Sequence, residues 1–120
     1  MYDLPEGMTL DFLKDRELAL LCFGPYTVTL HFEDGTQLQL EGSFEHIIAE
    51  QDAKPVTSSF PISDSRLMRL LMKRVTKVSA QHDGTLTLGF GNGDTLVIAG
   101  NVGPYESYSI QRPGCGLTVV

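Results

Sequence analysis

The sequence predicts an α+β, strand-rich fold made of two repeated units, each a short helix followed by antiparallel strands. Residues 10–42 align without a gap on residues 68–100, at a constant offset of 58. Within both copies, apolar and polar residues alternate with the period of two that half-buried strands show. We expect the two units to pack as a sandwich or partly open barrel with pseudo-twofold symmetry, in one domain spanning residues 1–120.

The internal repeat is the clearest signal in the chain. Nine aligned positions are identical: Leu13/Leu71, Arg16/Arg74, Thr27/Thr85, Thr29/Thr87, Leu30/Leu88, Phe32/Phe90, Gly35/Gly93, Leu38/Leu96 and Gly42/Gly100. Such self-similarity indicates duplication of one small supersecondary unit. Two copies are too few for a solenoid, so the copies must bury their apolar faces against each other.

Each unit is predicted to begin with a helical segment and a strand. Ser63 and Asp64 are typical helix caps before a predicted helix at 65–73, and the counterpart at 10–14 is a shorter helical turn. Strands are predicted at 17–23 and 75–81. Because residues 18–23 are apolar on both faces, we expect the most buried strand there, with Cys22 as a small core residue.

A hairpin follows in each unit. Asp34-Gly35 in the first copy and Asn92-Gly93 in the second lie between alternating runs. A two-residue loop would place apolar residues opposite polar ones. A three-residue loop, residues 33–35, pairs Leu30 with Leu38 and puts the apolar side chains on one face. The same register holds around residues 91–93. The last loop residue should be left-handed, which suits glycine.

The ends of the units are less regular. A further strand is predicted near Phe44 and Glu45 and, three residues out of phase, near Tyr105 and Glu106. Residues 116–120 can supply a last edge strand. Residues 50–61 contain two prolines and several polar residues, and we expect a linking loop there.

Composition excludes several protein classes. The longest apolar run, residues 18–23, is far shorter than the roughly 20 residues of a membrane span. The acidic N-terminal residues lack the apolar segment of a signal peptide. The two cysteines, Cys22 and Cys115, have no paired metal or redox spacing. We therefore expect a cytoplasmic protein with reduced thiols.

The charge is distributed unevenly along the chain. Residues 1–52 hold eleven Asp/Glu and two Lys/Arg, a balance of −9, whereas residues 53–120 hold four and seven, a balance of +3. These sum to the net charge of −6. Five of the nine bases fall between residues 66 and 77. An acidic protein repels nucleic-acid backbones, so we expect no nucleic-acid partner.

Candidate chemical motifs are weak. Glu45, His46 and Glu50 could hold a metal if they shared a helical face, but a solvated acidic surface is the simpler interpretation. Residues 89–93 are glycine-rich but continue into a strand, unlike a phosphate loop. Cys115 has no base partner in the sequence. We expect no catalytic residue, no metal and no cofactor.

A basic stripe and a pair of tyrosines each have two interpretations. Arg66, Arg69 and Lys73 form a stripe on the predicted helix, either a solvated face or a contact to an acidic partner. Tyr105 and Tyr108 would point to opposite faces of a strand, one toward the core and one toward the surface. A tyrosine recognition patch is the alternative.

Several stretches carry a family resemblance: residues 23–35, residues 86–93 and the closing 105–110, Tyr-Glu-Ser-Tyr-Ser-Ile. Together they resemble a family of small bacterial proteins, a domain of unknown function whose ending usually reads Tyr-Glu-x-Trp. Tyr108 stands where that family has tryptophan. The resemblance implies no established activity. Some relatives resemble immunity proteins, which neutralise toxins.

The resulting hypothesis is a non-enzymatic binding protein, of the kind of an immunity-type inhibitor, that docks a basic protein partner through its acidic first half. The candidate contact residues are Glu33, Asp34, Glu41 and Glu45, since acidic inhibitors associate quickly with basic enzymes by electrostatic steering. The alternatives are a small-ligand module with a pocket between the two units and an enzyme of unrecognised type. The acidic half and the basic cluster at 66–77 also permit a homo-oligomer.

Overall fold

A computed structural model describes residues 10–42, 44–49, 55–58, 67–81, 83–100, 108–113 and 116–119. Ten strands account for most of this part of the chain: β1 Leu18–Phe23, β2 Val28–Phe32, β3 Gln37–Leu40, β4 Phe44–Ile47, β5 Pro55–Ser58, β6 Val75–Ala80, β7 Leu86–Phe90, β8 Thr95–Ile98, β9 Tyr108–Arg112 and β10 Gly116–Val119. Two short 3₁₀ turns, Asp11–Leu13 and Leu67–Leu70, precede β1 and β6.

The fold of the described residues is all-β, so the prediction of an α+β fold with one helix per unit is wrong. Where a helix was predicted at 65–73, the structure has the 3₁₀ turn Leu67–Leu70. The reason lies just after the turn. Met72 has a φ of 67°, which is outside the range of an α-helix. Its N–H donates a hydrogen bond to the carbonyl of Leu18 on β1, instead of to a carbonyl of the preceding turn. The predicted caps at 63 and 64 lie outside the described residues.

The strands form two five-stranded antiparallel sheets. The first sheet has the order β1-β2-β3-β9-β10 and the second the order β5-β4-β8-β7-β6. The alternating apolar residues of both sheets point inward into one shared core, for example Leu38 from β3 and Leu96 from β8, each with no exposed area. The architecture is therefore a sandwich with the core between the sheets.

The two halves exchange a strand. β4 follows β3 in the chain but pairs with β8 in the second sheet, and β9 follows β8 but pairs with β3 in the first. The pairings are equivalent, because Tyr108 lies opposite Leu40 and Phe44 lies opposite Ile98. Tyr108, six residues out of phase with the repeat, is thus the counterpart of Phe44. The predicted counterpart, Tyr105, lies outside the described residues.

The repeat itself needs one correction. From the hairpins onward the offset of 58 holds, since Phe32 and Phe90 occupy equivalent places. Before them the structural offset is 57: both edge strands have a register shift at their start, after Leu18 and after Val75. The two positive-φ residues that precede these strands, Asp15 and Met72, are also 57 apart. The second copy therefore has one extra residue in its β6–β7 connection.

Two further expectations about strands are wrong. Strand β1 was expected to be the most buried strand, yet it is a sheet edge with only Leu18 fully buried, and Cys22 is exposed. The apolar sequence of residues 18–23 therefore does not mean that this strand is buried. Part of the expected linking loop at 50–61 forms β5, which pairs with β4. Pro55 is tolerated because β5 is also an edge, where a missing N–H breaks no interior ladder.

The predicted hairpin register is confirmed in both copies. Leu30 pairs with Leu38 in the first hairpin, and Leu88 pairs with Leu96 in the second. Each hairpin is closed by a three-residue loop whose last residue is a glycine with a φ of 91°, Gly35 or Gly93. A left-handed glycine at this place lets the chain turn without strain on a side chain.

Valine at Gly35 or Gly93 should lower the free energy of unfolding by at least about 1–2 kcal/mol, because a β-branched residue is strained at positive φ. A side chain would also meet close neighbours, since a Cβ at Gly35 lies 2.8 Å from Pro113 Cγ and one at Gly93 lies 3.0 Å from Ala49 Cβ. Chemical denaturation measures the loss. Gly91→Ala is the control, because Glu33 occupies the same loop position in the first copy. If Gly91→Ala cost as much as Gly93→Val, the backbone explanation would fail.

Candidate functional site

The acidic residues at the tip of the first hairpin are held by arginines from both halves. Asp34 lies 3.3 Å from Arg16 Nε, and Glu33 Oε1 lies 3.5 Å from Arg74 Nη1. Burial alone would raise the pKa of Asp34, but the Thr36 backbone N–H and the charge of Arg16 hold the pKa below its ordinary value of 3.8. The tip is therefore a mixed-charge cluster rather than a bare acidic patch.

The other two predicted contact residues lie apart from each other. Glu41 follows β3 in the first sheet, where Gln39 Nε2 donates a 2.8 Å hydrogen bond to its carboxylate. Glu45 lies on β4, in the second sheet. The structure thus brings Glu33, Asp34 and Glu41 to the first sheet and places Glu45 on the other one. Whether any of the four binds a partner stays a prediction.

A buried charged cluster, which sequence reasoning did not find, joins two parts of the second sheet to the second 3₁₀ turn. Its members are Asp94, which follows the β7–β8 loop, His46 on β4 and Arg69 in the second 3₁₀ turn. His46 Nε2 donates to Asp94 Oδ2 at 2.9 Å, and Arg69 reaches both carboxylate oxygens, at 3.0 and 3.1 Å. The backbone N–H of Ala49 adds a bond of 3.0 Å. We call these three side chains the Asp94 cluster.

The carboxylate of Asp94 is saturated with donors. Burial alone would raise its pKa, but the hydrogen bonds from Arg69, Ala49 and His46 hold the pKa well below 3.8. Asp94 has no exposed area and His46 is almost fully buried. A carboxylate so engaged has no lone pair left for a ligand, so the cluster acts as a clamp. It fixes the exchanged strand β4 against β8 and the second 3₁₀ turn.

The first half lacks this clamp. By strand pairing, Ile110 on β9 occupies the place of His46, and buried Thr36 occupies the place of Asp94. At the offset of 57, Phe12 matches Arg69, and the guanidinium of Arg112 lies 4.0 Å from the centre of the Phe12 ring. The sequence did contain one sign of this cluster: His46 is polar, whereas its counterpart in the other half, Ile110, is apolar. The sign could be recognised only from the structure, because the strand exchange is what makes His46 and Ile110 equivalent.

The expectation for Glu45 and His46 is also corrected. These residues lie on a strand, not on a helical face, and His46 is buried rather than solvated. Among the described residues no group of three His, Cys, Asp or Glu side chains could hold a metal ion. Of the predicted basic stripe, Arg69 turns inward to Asp94 instead of facing solvent, while Lys73 is exposed.

Strand β9 gives one of the predicted tyrosines a structural role. Tyr108 is fully buried and donates a 2.6 Å hydrogen bond from its hydroxyl to the Gly84 carbonyl. Burial, together with the charge of Asp83, raises the pKa of Tyr108 well above its ordinary value. The core interpretation therefore holds for Tyr108, whereas Tyr105 lies outside the described residues.

The outer face of the first sheet carries an array of uncharged hydrogen-bonding side chains. Cross-strand pairing places them in two rows of three, Thr29–Gln39–Ser109 and His31–Gln37–Gln111. All six are exposed or partly exposed. We call them the polar face. Their counterparts on the second sheet are less polar, since Val97 and Ile47 stand in the places of Gln39 and Gln111.

Between the two units, apolar side chains from both sheets form the core of the described residues, and a ligand pocket between the units stays a prediction. A surface groove of about 470 Å³ lies beside β6, lined by Lys14, Thr76, Lys77, Val78 and Ser79. Within the described part of the chain, no helix is long and apolar enough to cross a membrane.

Comparison with known proteins identifies a family. No curated protein and no solved structure shows significant similarity to this chain. A family model matches, described as a family of unknown function, DUF6188, and it covers residues 8–120. This agrees with the resemblance to a family of unknown function inferred from the motifs, although the family description carries no activity. Because the match spans nearly the whole chain, the protein belongs to the DUF6188 family.

Proposed function

We propose that this protein is a non-enzymatic binding protein that docks a basic protein partner on the polar face of the first sheet. The observation that carries the proposal is the two-row array of six uncharged donors and acceptors on one outer face. Such groups can form many hydrogen bonds to a partner without the desolvation cost of buried charges. The pseudo-symmetric outer face of the second sheet serves as an internal comparison.

Acidic residues flank this face. Glu41 lies beyond the Thr29–Gln39–Ser109 row, where Gln39 holds its carboxylate in place, and its charge supplies local steering. Glu33 and Asp34 lie beyond the other row, at the hairpin tip, where Arg16 and Arg74 offset their charges. The balance of −9 over residues 1–52 attracts a basic partner over distances longer than direct contacts. Glu45, on the second sheet, would contribute only through this long-range field.

An immunity-type role is the finer form of the proposal. In that role the partner is a basic toxin, and the bound protein blocks it without any chemistry of its own. The Asp94 cluster is consistent with a protein that does no catalysis, because its carboxylate is committed to structural hydrogen bonds. The proposal places the protein in the cytoplasm and requires no cofactor.

Arginine at Thr29 and Gln39 together should reduce capture of the basic partner at least about tenfold, because two long cationic side chains block the array and repel the partner. The measurement is affinity purification from the native host with quantitative mass spectrometry, followed by binding kinetics with the captured protein. The matched control is arginine at Thr87 and Val97, the equivalent positions of the second sheet.

Two results would count against the proposal. One is equal capture by the Thr29/Gln39 variant and by its matched control. The other concerns charge: Glu41→Lys should slow association and flatten its salt dependence, whereas Glu45→Lys should do so less. If Glu45→Lys had the larger effect, the binding surface would lie on the second sheet instead.

A further inference from the structure

Strand β1 is an apolar edge that the described part of the fold leaves open along residues 19–23. Leu20 and Phe23 are each 52% exposed, and Cys22 is also exposed. No charged residue occurs between Glu17 and Glu33. Soluble proteins usually protect a sheet edge with charges, prolines or a covering segment, because unpaired backbone groups there invite another strand. This edge has neither charge nor proline within the strand.

The equivalent edge of the second sheet is protected. At the offset of 57, β6 places Thr76, Lys77 and Ser79 where β1 has Ala19, Leu20 and Cys22. The two strands share the same backbone register, including the shift at their start, so backbone geometry does not explain the difference. One edge has the lysine that discourages pairing, and the other has an apolar side chain at the same place.

The backbone groups that face outward on β1 can be identified. Gly24 N–H donates to the Thr27 carbonyl, and pairing alternates along an antiparallel ladder. Leu20 and Cys22, opposite His31 and Thr29, therefore bond to β2, whereas Leu21 and Phe23 direct their N–H and C=O groups away from the sheet. The start of the strand is already occupied, because Leu18 exchanges bonds with Met72 and Lys73.

We propose that β1 is a dimerisation edge, on which a second copy of this chain adds its own β1 antiparallel about a twofold axis. Two outward residues, Leu21 and Phe23, select the register: Leu21 of one copy pairs with Phe23 of the other, and all their free backbone groups are satisfied. The same pairs bring apolar side chains together on the core-facing side, and no like charges meet. The two first sheets become one continuous sheet.

This register makes a specific demand on Cys22. It lies on the twofold axis, opposite Cys22 of the second copy, in a non-hydrogen-bonded pair whose Cα atoms are about 4.5 Å apart. A disulfide accepts Cα separations of roughly 4.4–6.8 Å. The thiol therefore reports the register. The proposal goes beyond the binding function above and does not depend on it, because the polar face lies on β2, β3 and β9.

The first test is the oligomeric state of the full chain by analytical ultracentrifugation. Pairing along a short edge buries little surface area, so we expect a weak dimer that forms as the protein concentration approaches about 1 mM. Its mass would be twice that of the 13.2 kDa monomer. Because the contact is uncharged, association should not weaken between low and high salt. A monomer throughout this range would overturn the proposal. So would association lost at high salt, which would indicate pairing of the acidic half with the basic 66–77 segment.

Variants at Cys22 test the register. Cys22→Lys places two like charges directly opposite each other and should weaken the dimer at least about tenfold. Ser79→Lys, at the equivalent place on β6, should leave the dimer unchanged. In a Cys115→Ser background, mild oxidation should yield a disulfide-linked dimer on a non-reducing gel. Circular dichroism confirms that each variant is folded.

Three outcomes would refute the β1 register: a dimer that Cys22→Lys leaves intact, a dimer that Ser79→Lys disrupts equally, or no cross-link at Cys22 under conditions where the dimer is populated. Equal partner capture by the Thr29/Gln39 arginine variant and by its matched control, with the dimer intact, would instead refute only the polar-face proposal. The two proposals are therefore separable by experiment.

Discussion

Alanine at Asp94 should lower the free energy of unfolding by about 3–5 kcal/mol, the usual cost of removing one partner from a buried ion pair. The loss leaves the His46 imidazole, the Arg69 guanidinium and the Ala49 N–H without their shared acceptor. Urea denaturation followed by fluorescence of the tyrosines or by circular dichroism measures it. Because the Asp94 cluster also ties β4 to the second sheet, Asp94→Ala should unfold in one transition, with strand content and tyrosine fluorescence changing at the same, lower urea concentration.

The first half supplies the control. The triple variant His46→Ile, Arg69→Phe, Asp94→Thr copies Ile110, Phe12 and Thr36 into the second half, and Ile48 there is already apolar and buried. Replacing a whole buried charged group by uncharged residues leaves no unpaired buried charge and is often close to neutral. The threonine copied from position 36 adds a modest cost, because the buried Thr36 hydroxyl has no hydrogen-bond partner. We expect the triple variant to lie within about 2 kcal/mol of wild type. If the triple variant were as unstable as Asp94→Ala, the cluster would matter for more than its mutual pairing.

The stabilisation that Asp94 provides should depend on pH. Because folding lowers the pKa of Asp94 below 3.8, its contribution is fully present above that pH and is lost as pH falls through the folded-state pKa. The amount by which the unfolding free energy of wild type exceeds that of Asp94→Ala should therefore shrink only below pH 3.8. A difference that shrank at neutral pH would contradict an origin in Asp94.

Alanine at Leu38 or Leu96 should cost about 2–5 kcal/mol each, through lost burial and the cavity left behind. Both side chains are fully buried, and both lie on the central strand of a sheet, β3 or β8. Gln37→Ala changes the neighbouring but exposed position and should stay within about 0.5 kcal/mol. Thermal and chemical denaturation measure the changes in unfolding free energy. If Gln37→Ala lowered the unfolding free energy as much as Leu38→Ala, the face of the first sheet that carries Gln37 would be the buried one.

Local rules predicted the hairpins well. Alternation, an Asx-Gly pair and the requirement that apolar residues share a face were sufficient to place Leu30 opposite Leu38 and to assign positive φ to Gly35. All the information lies within about fifteen residues, so no distant contact was needed. The duplication then repeated the same evidence in the second copy, where Leu88 lies opposite Leu96.

Non-local pairing limited the remaining predictions. The run at 18–23 looked like a central strand because an apolar sequence does not say which strand will lie beside it. Strand β9, from the far end of the chain, takes the inner place beside β3 and leaves β1 at the edge. The helix expected at 65–73 failed for a related reason, since Met72 bonds Leu18 more than fifty residues away.

The candidate site was predictable only in part. Charge counting identified Glu33 and Asp34 as exposed hairpin residues, but it could not show that Arg16 and Arg74 reach them. The polar face needed the register of β9 against β3, which no local pattern contains. The Asp94 cluster needed contacts between residues 25 to 48 positions apart.

The exchange of β4 and β9 sets the order in which the molecule can be completed during its synthesis. When the ribosome has released the first half, β3 has an open side and β4 has no sheet to join, because their partners β9 and β8 are still to be made. The first sheet gains its fourth strand only when Tyr108–Arg112 emerges. Long-range pairing of this kind slows folding and delays completion of the first sheet until β9 has been synthesised. Until then Val28, Leu30 and Phe32, which are buried in the finished fold, lack the second sheet that covers them, and transiently exposed apolar surface of this kind favours aggregation.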